Sequence, residues 1–169
     1  MKPIALSLLA LTLAVPSRAE LPEMYRRVAS VHWVVKDLAP VKAGWGKLGF
    51  PFADQGETAA SGTFRGQSGG ARIRTAGARL AGAEVVWIQP VEGESAFSEH
   101  LARQGEGVVS VNYAAPSLEA LEAEVKRLGS LGVSVLQRAE VPTPAGRLTV
   151  VHMDTATEGK YVLGLVHGE

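Results

Sequence analysis

The strongest constraint on this chain is a duplication. Residues 30–50 read Ser-Val-His-Trp-Val-Val-Lys-Asp-Leu-Ala-Pro-Val-Lys-Ala-Gly-Trp-Gly-Lys-Leu-Gly-Phe, and a stretch of matching character returns 80 positions later. Ser30 answers to Ser110, His32 to Asn112, Trp33 to Tyr113 and Asp37 to Ser117. Leu38, Val41, Trp45, Leu48 and Gly49 answer to Leu118, Leu121, Val125, Leu128 and Gly129. One offset held through so many positions marks an internal repeat of one supersecondary unit.

Each copy reads as strand, helix cap, helix and glycine stop. Ala29 to Lys36 is rich in Val and Trp and suits a strand. Asp37 can accept from unpaired N–H groups at a helix start, and Leu38, Val41, Trp45 and Leu48 then fall on one helical face. Gly49 is placed to end that helix, with Gly129 as its counterpart. In the second copy Val108 to Ala115 is a strand, Ser117 a cap, and Leu118 to Leu128 a helix. After the first helix the pattern predicts strands at 60–66, 71–80 and 83–90, with a turn at Gln67–Gly70. After the second it predicts strands at 132–137, 147–153 and 161–167, with Asp154–Lys160 as a polar turn. A short helix at 95–103 lies between the halves. The order is strand, helix, three strands, twice over. The expected fold is α+β: two βαβββ modules in tandem, residues 28–91 and 108–167, forming an open, curved eight-stranded sheet around a cleft.

The first residues carry a different signal. Lys2, an apolar run from Ile4 to Val15, and Ser17-Arg18-Ala19 predict a signal peptide spanning residues 1–19. The mature domain is then 20–169, secreted or periplasmic, with no membrane association after cleavage. Without Lys2 and Arg18 it holds 15 basic and 17 acidic residues, and no basic run or aromatic–basic cluster suggests nucleic acid. The chain has no cysteine, so no disulfide supports it. No Gly-x-Ser-x-Gly elbow supports a serine hydrolase. Arg72 and Arg74 share a strand face that reads as solvated, and Gly105-Glu106-Gly107 reads as a turn into a strand.

This order, carried by Val34-Val35-Lys36-Asp37-Leu38, Lys47-Leu48-Gly49-Phe50, Trp87-Ile88-Gln89-Pro90, Gln104-Gly105-Glu106-Gly107-Val108 and Asp154-Thr155 before Tyr161-Val162-Leu163, resembles the vicinal-oxygen-chelate superfamily. That group includes glyoxalase I, extradiol dioxygenases and fosfomycin-resistance proteins, and methylmalonyl-CoA epimerase-like members are the most similar. The resemblance implies a small-molecule ligand in the cleft, is compatible with a homodimer, and points to lyase or isomerase chemistry if the chain is an enzyme. It also implies a divalent metal, held by one residue on the first and one on the last strand of each module. Those positions here are Ser30, Val86, Ser110 and Gly164, none a usual ligand. The expectation is therefore no metal and no other cofactor.

The same strands carry two other groups of ligand chemistry. His32 and Glu84 share a face with Ser30 and Val86 but are displaced in opposite directions along parallel strands, for an expected separation of about 13 Å. The facing of His152 depends on a strand register that spacing does not fix, and His100 and His167 sit at a helix end and the chain end. Four hydrogen-bonding groups remain on the concave face as ligand-binding candidates: Ser30, His32, Ser110 and Asn112. The expected function is binding, or metal-free handling, of a small polar organic molecule. The alternatives are a metal-dependent lyase or isomerase with a rearranged site, and a protein-interaction module with a vestigial cleft.

Overall fold

A computed structural model describes residues 20–80 and 82–168; the segment read as a signal peptide lies outside them. After a short 3₁₀ turn at Glu23–Arg26, the first module comprises β1 (Val28–Val34), α1 (Leu38–Lys47), β2 (Ala53–Phe64), β3 (Gln67–Leu80) and β4 (Ala83–Glu92). Helix α2 (Ala96–Gln104) connects it to β5 (Gly107–Ala114), α3 (Leu118–Ser130), β6 (Val135–Thr143), β7 (Gly146–Met153), the single turn α4 (Ala156–Gly159) and β8 (Val162–Gly168). The two βαβββ modules are as the duplication predicts. No helix among the described residues is long and apolar enough to cross a membrane.

Local chemistry sets the helix starts. The Asp37 carboxylate accepts from Ala39 N and the Ser117 hydroxyl from Ala120 N, so the duplicated caps do the same work in both halves. The helix ends differ. Gly49 adopts φ 78° just after α1, but α3 runs past Gly129 and stops at Gly132, φ 86°. At both stops, Gly49 and Gly132, the backbone takes the left-handed turn that favours glycine, whereas Gly129 is not at positive φ.

The sheet is closed, not open. The strand order β1-β4-β3-β2-β6-β7-β8-β5 returns to β1, which pairs antiparallel with β5. Closure depends on β6, which continues to Thr143 beyond the expected end at 137, and the β2–β3 hairpin beside it is longer than spacing suggested. It turns at Arg65-Gly66, both at positive φ as a two-residue hairpin turn requires, and 67–70 belong to β3. The far end of β2 reaches β6, pairing Ser61 with Glu140 and Phe64 with Gln137.

Three apolar clusters fill the molecule. Helix α1 covers the outside of the first module, packing its Leu38, Val41 and Trp45 on Val35, Ala76, Ala78 and Trp87. Helix α3 does the same for the second module, packing its Leu121, Val125 and Leu128 on Val151, Met153 and Leu165. The third cluster lies inside the barrel. Helix α2 turns Ala96 and Phe97 inward against Val34, Val86, Ile88, Val109, Leu136 and Val162. Its capping box on Ser95 and Ser98 fixes its start, and Gln137 Oε1 accepts from Ala96 N at 2.7 Å. Arg72 and Arg74 are exposed on the outer face, paired with Glu57 and Glu92.

Candidate functional site

Successive inward residues of a strand are two apart, so Ser30, His32 and Val34 of β1 face the barrel interior, as do Ser110 and Asn112 of β5. The antiparallel register sets Ser30 opposite Asn112 and His32 opposite Ser110. The four candidates thus form one two-by-two patch, but Ser30 and Ser110 are diagonal to each other rather than direct neighbours.

The parallel pairings correct the expected separation of His32 from Glu84. Ser30 lies beside Glu84, and His32 beside Val86. The two strands are offset by two residues relative to that expectation, so His32 and Glu84 stand two positions apart along the sheet, roughly 7 Å. Glu84 nonetheless turns to Gln55, whose Nε2 donates to Glu84 Oε1 at 3.1 Å. In the second module Asn112 lies beside Gly164, and Gly164 beside His152.

His152 is the residue spacing left unplaced. It faces inward, and its ring centroid lies 6.1 Å from that of His32. Phe97 of α2 stands over both, 5.8 Å from His32 and 5.5 Å from His152. His152 is fully enclosed; His32 is half-buried overall, with its Nδ1 out of contact with solvent. The helical turn α4 between β7 and β8 hides this arrangement in the sequence, because the length of that connection does not reveal the register of Gly164 against His152.

The hydrogen bonds define a direction. Asn112 Nδ2 donates to Ser30 Oγ at 3.1 Å and to Ser30 O at 3.3 Å. Ser30 Oγ lies 3.3 Å from His32 Nε2. The Ser30 hydroxyl, already accepting from Asn112, meets Nε2 as donor when the His32 ring proton sits on Nδ1 and as a second-time acceptor when it sits on Nε2. What remains unpartnered is unusual for so small a volume: His32 Nδ1, Ser110 Oγ, Asn112 Oδ1, and both nitrogens of His152, all buried. Burial holds both imidazoles neutral. It pushes His152 down to about 4, and His32 down to about 3, where His152 adds a smaller repulsion.

The structural comparisons bear on the fold. No known family profile and no curated protein matches the sequence. Among solved structures, methylmalonyl-CoA epimerase from Mycobacterium tuberculosis superposes with a TM-score of 0.57 at 17% identity, over 84% of this chain and 87% of that one. A methylmalonyl-CoA epimerase in complex with methylmalonyl-CoA and NH4+ gives 0.57 and 17%, over 84% and 94%. A mutant of 4-hydroxymandelate synthase from Streptomyces coelicolor gives 0.54 and 14%, over 83% of this chain and 48% of that one. This chain has the vicinal-oxygen-chelate fold.

At Val86 and Gly164, where the resemblance places two of a metal's ligands, the residues present supply no side-chain donor. Val86 offers no donor atom. A Cβ on Gly164 would lie 1.8 Å from Asn112 Oδ1, so the amide fills the space a ligating side chain there would need. Among the described residues no group of three or more His, Asp or Glu is arranged to hold a metal ion. The vicinal-oxygen-chelate barrel is instead lined, at its closed heart, by neutral hydrogen-bonding groups.

Proposed function

We propose that this is an exported vicinal-oxygen-chelate-fold protein that binds, or handles without the usual metal, a small polar organic molecule inside the barrel. Ser30, His32, Ser110 and Asn112 are the contacting groups, joined by His152. One observation carries the reading: five polar atoms of four of these residues are buried together with no hydrogen-bond partner. Each such atom costs about 1–3 kcal/mol unless something satisfies it. A ligand seated among them would recover that cost, and Phe97 is the side chain that must yield to admit it. Methylmalonyl-CoA bound to a protein of the same fold supports a small-molecule partner.

The test is a thermal-shift screen of small aldehydes, amides, polyols and carboxylates on the mature protein, since a ligand of the native state raises the melting temperature. Hits should disappear in Ser110→Ala and His152→Ala. A full screen without a hit would remove the reading. Export is tested by mass spectrometry, which should find Glu20 at the N-terminus in the extracytoplasmic fraction.

A second reading is supported by the packing of Phe97 over both imidazoles: a protein-interaction module whose cleft has become core. It predicts that filling the interior, as in Ser110→Val, stabilises the chain and leaves its partner binding intact.

A further inference from the structure

Resting on the small-molecule reading, we propose that the barrel interior selects an uncharged ligand bearing both a hydrogen-bond donor and an acceptor, such as a hydroxy-amide or a polyol, and discriminates against carboxylates. The geometry of the unpartnered atoms supplies both polarities. The relay from Asn112 Nδ2 through the Ser30 hydroxyl to His32 Nε2 leaves Asn112 Oδ1 as an acceptor and His32 Nδ1 as the open ring nitrogen, a donor when the ring proton sits there. Ser110 Oγ can act either way, and the neutral ring of His152 offers one of each. A hydroxyl or primary amide can satisfy a donor and an acceptor together. A carboxylate can only accept, so it would leave Asn112 Oδ1 unpartnered and facing a negative charge.

Charge points the same way. Every described Lys and Arg is at least partly exposed, and neither His32 nor His152 carries a positive charge at neutral pH. An anion in the interior would be desolvated without a counter-charge, which is strongly unfavourable.

Calorimetric titration of the mature chain with matched pairs, lactamide against lactate and glyceraldehyde against glycerate, tests this directly. The uncharged member of each pair is expected to bind at least tenfold more tightly. Ser110→Ala and Asn112→Leu are expected to weaken it by tenfold or more, and circular dichroism and melting would establish that both variants are folded. Equal or tighter binding of the carboxylates overturns the charge preference while leaving the small-molecule reading standing. Binding by neither member of any pair in a panel of this kind overturns both.

Discussion

Asn112 stands where a side chain at Gly164 would have to be: a Cβ there would lie 1.8 Å from Asn112 Oδ1 and 2.7 Å from its Cγ. The two residues are direct cross-strand partners on β5 and β8, so the glycine and the amide are one packing solution. Gly164→Ala should destabilise the chain by about 1–3 kcal/mol, the usual cost of overpacking, and Asn112→Gly in the same chain should recover most of it. Chemical denaturation of the two variants and their combination reads this as a coupling energy. The pairing also conditions any rebuilding of the family's metal site. Glu at 86 and 164 with His at 30 and 110 requires Asn112 to be removed first, and with it gone the variant should take up a divalent ion, while metal analysis of the wild type is expected to find none in stoichiometric amount.

Acid sensitivity should come from the two buried imidazoles. Their pKa values lie at about 3 and about 4 in the folded chain, against about 6.5 when unfolded. Between those limits the unfolded chain binds the additional protons, so stability is complete above about pH 6.5 and declines as pH falls. At pH 5 each imidazole should have cost roughly 2 kcal/mol relative to neutral pH. Melting curves from pH 7 to 5, where ordinary carboxylates barely titrate, should show this decline. His32→Gln and His152→Gln together should flatten it.

The four patch residues were legible because each strand of a duplicated pair alternates faces, and Ser30, His32, Ser110 and Asn112 all fall on the inward phase. The long β2 was not. Its first half, Ala-Asp-Gln-Gly-Glu-Thr-Ala-Ala, is poor in β-branched and aromatic residues and is extended because β3 pairs with it through Ala53–Gly77 onward. Barrel closure uses Ser61–Phe64, inside the expected strand, but pairs them with 137–140 of β6, which runs on past the strand end expected at 137. His152 was hidden for a related reason, since its facing is set by partners on β6 and β8 rather than by its own strand's pattern.

Glu124 is another residue that spacing concealed. It lies on α3 yet is 3% exposed, with its carboxylate accepting from Tyr25 Oη at 2.6 Å and from both Arg127 Nε and Nη2 at 2.7 and 2.6 Å. Burial pushes this carboxyl up, but the bonds from Arg127 and Tyr25 outweigh it and hold it below the usual range. Its contribution is therefore present above the ordinary glutamate pKa and fades as pH falls through the depressed one. Glu124→Gln should cost about 1–3 kcal/mol at pH 7 by urea denaturation, and Tyr25→Phe less. An unchanged midpoint for Glu124→Gln would show that Tyr25 and Arg127 find equivalent partners without it.

Trp45 anchors α1 despite the two glycines, Gly44 and Gly46, that weaken the helix by up to about 1 kcal/mol each. Its ring lies 5.3 Å from Trp87 and 4.9 Å from Phe50, and Phe52 stacks on the same Trp87 at 5.0 Å. Trp45→Ala should lower stability by about 3 kcal/mol, the lower end for a large aromatic because the ring is only partly buried. Val125→Ala at the equivalent place on α3 should cost less, and differential scanning calorimetry would rank the two.

The seam between β2 and β6 is where the barrel should open. It holds four register pairs, against eleven between β2 and β3. At its centre Gly62 approaches β6 so closely that a Cβ would lie 2.0 Å from Arg138 O and 3.0 Å from Ala139 Cα. Those are backbone atoms, so no rotamer change can relieve the contact. Gly62→Ala should therefore separate the strands rather than strain a side chain, while the β2–β3 hairpin keeps its own ladder. Hydrogen exchange should accelerate for the amides of residues 61–64 and 137–140 and stay slow across β1 and β5. Exposure of the interior should also let His152 react with diethyl pyrocarbonate, from which its enclosure protects it in the parent chain. If exchange in Gly62→Ala rises evenly around the sheet, the seam is not a separate unit and the barrel opens only by unfolding as a whole.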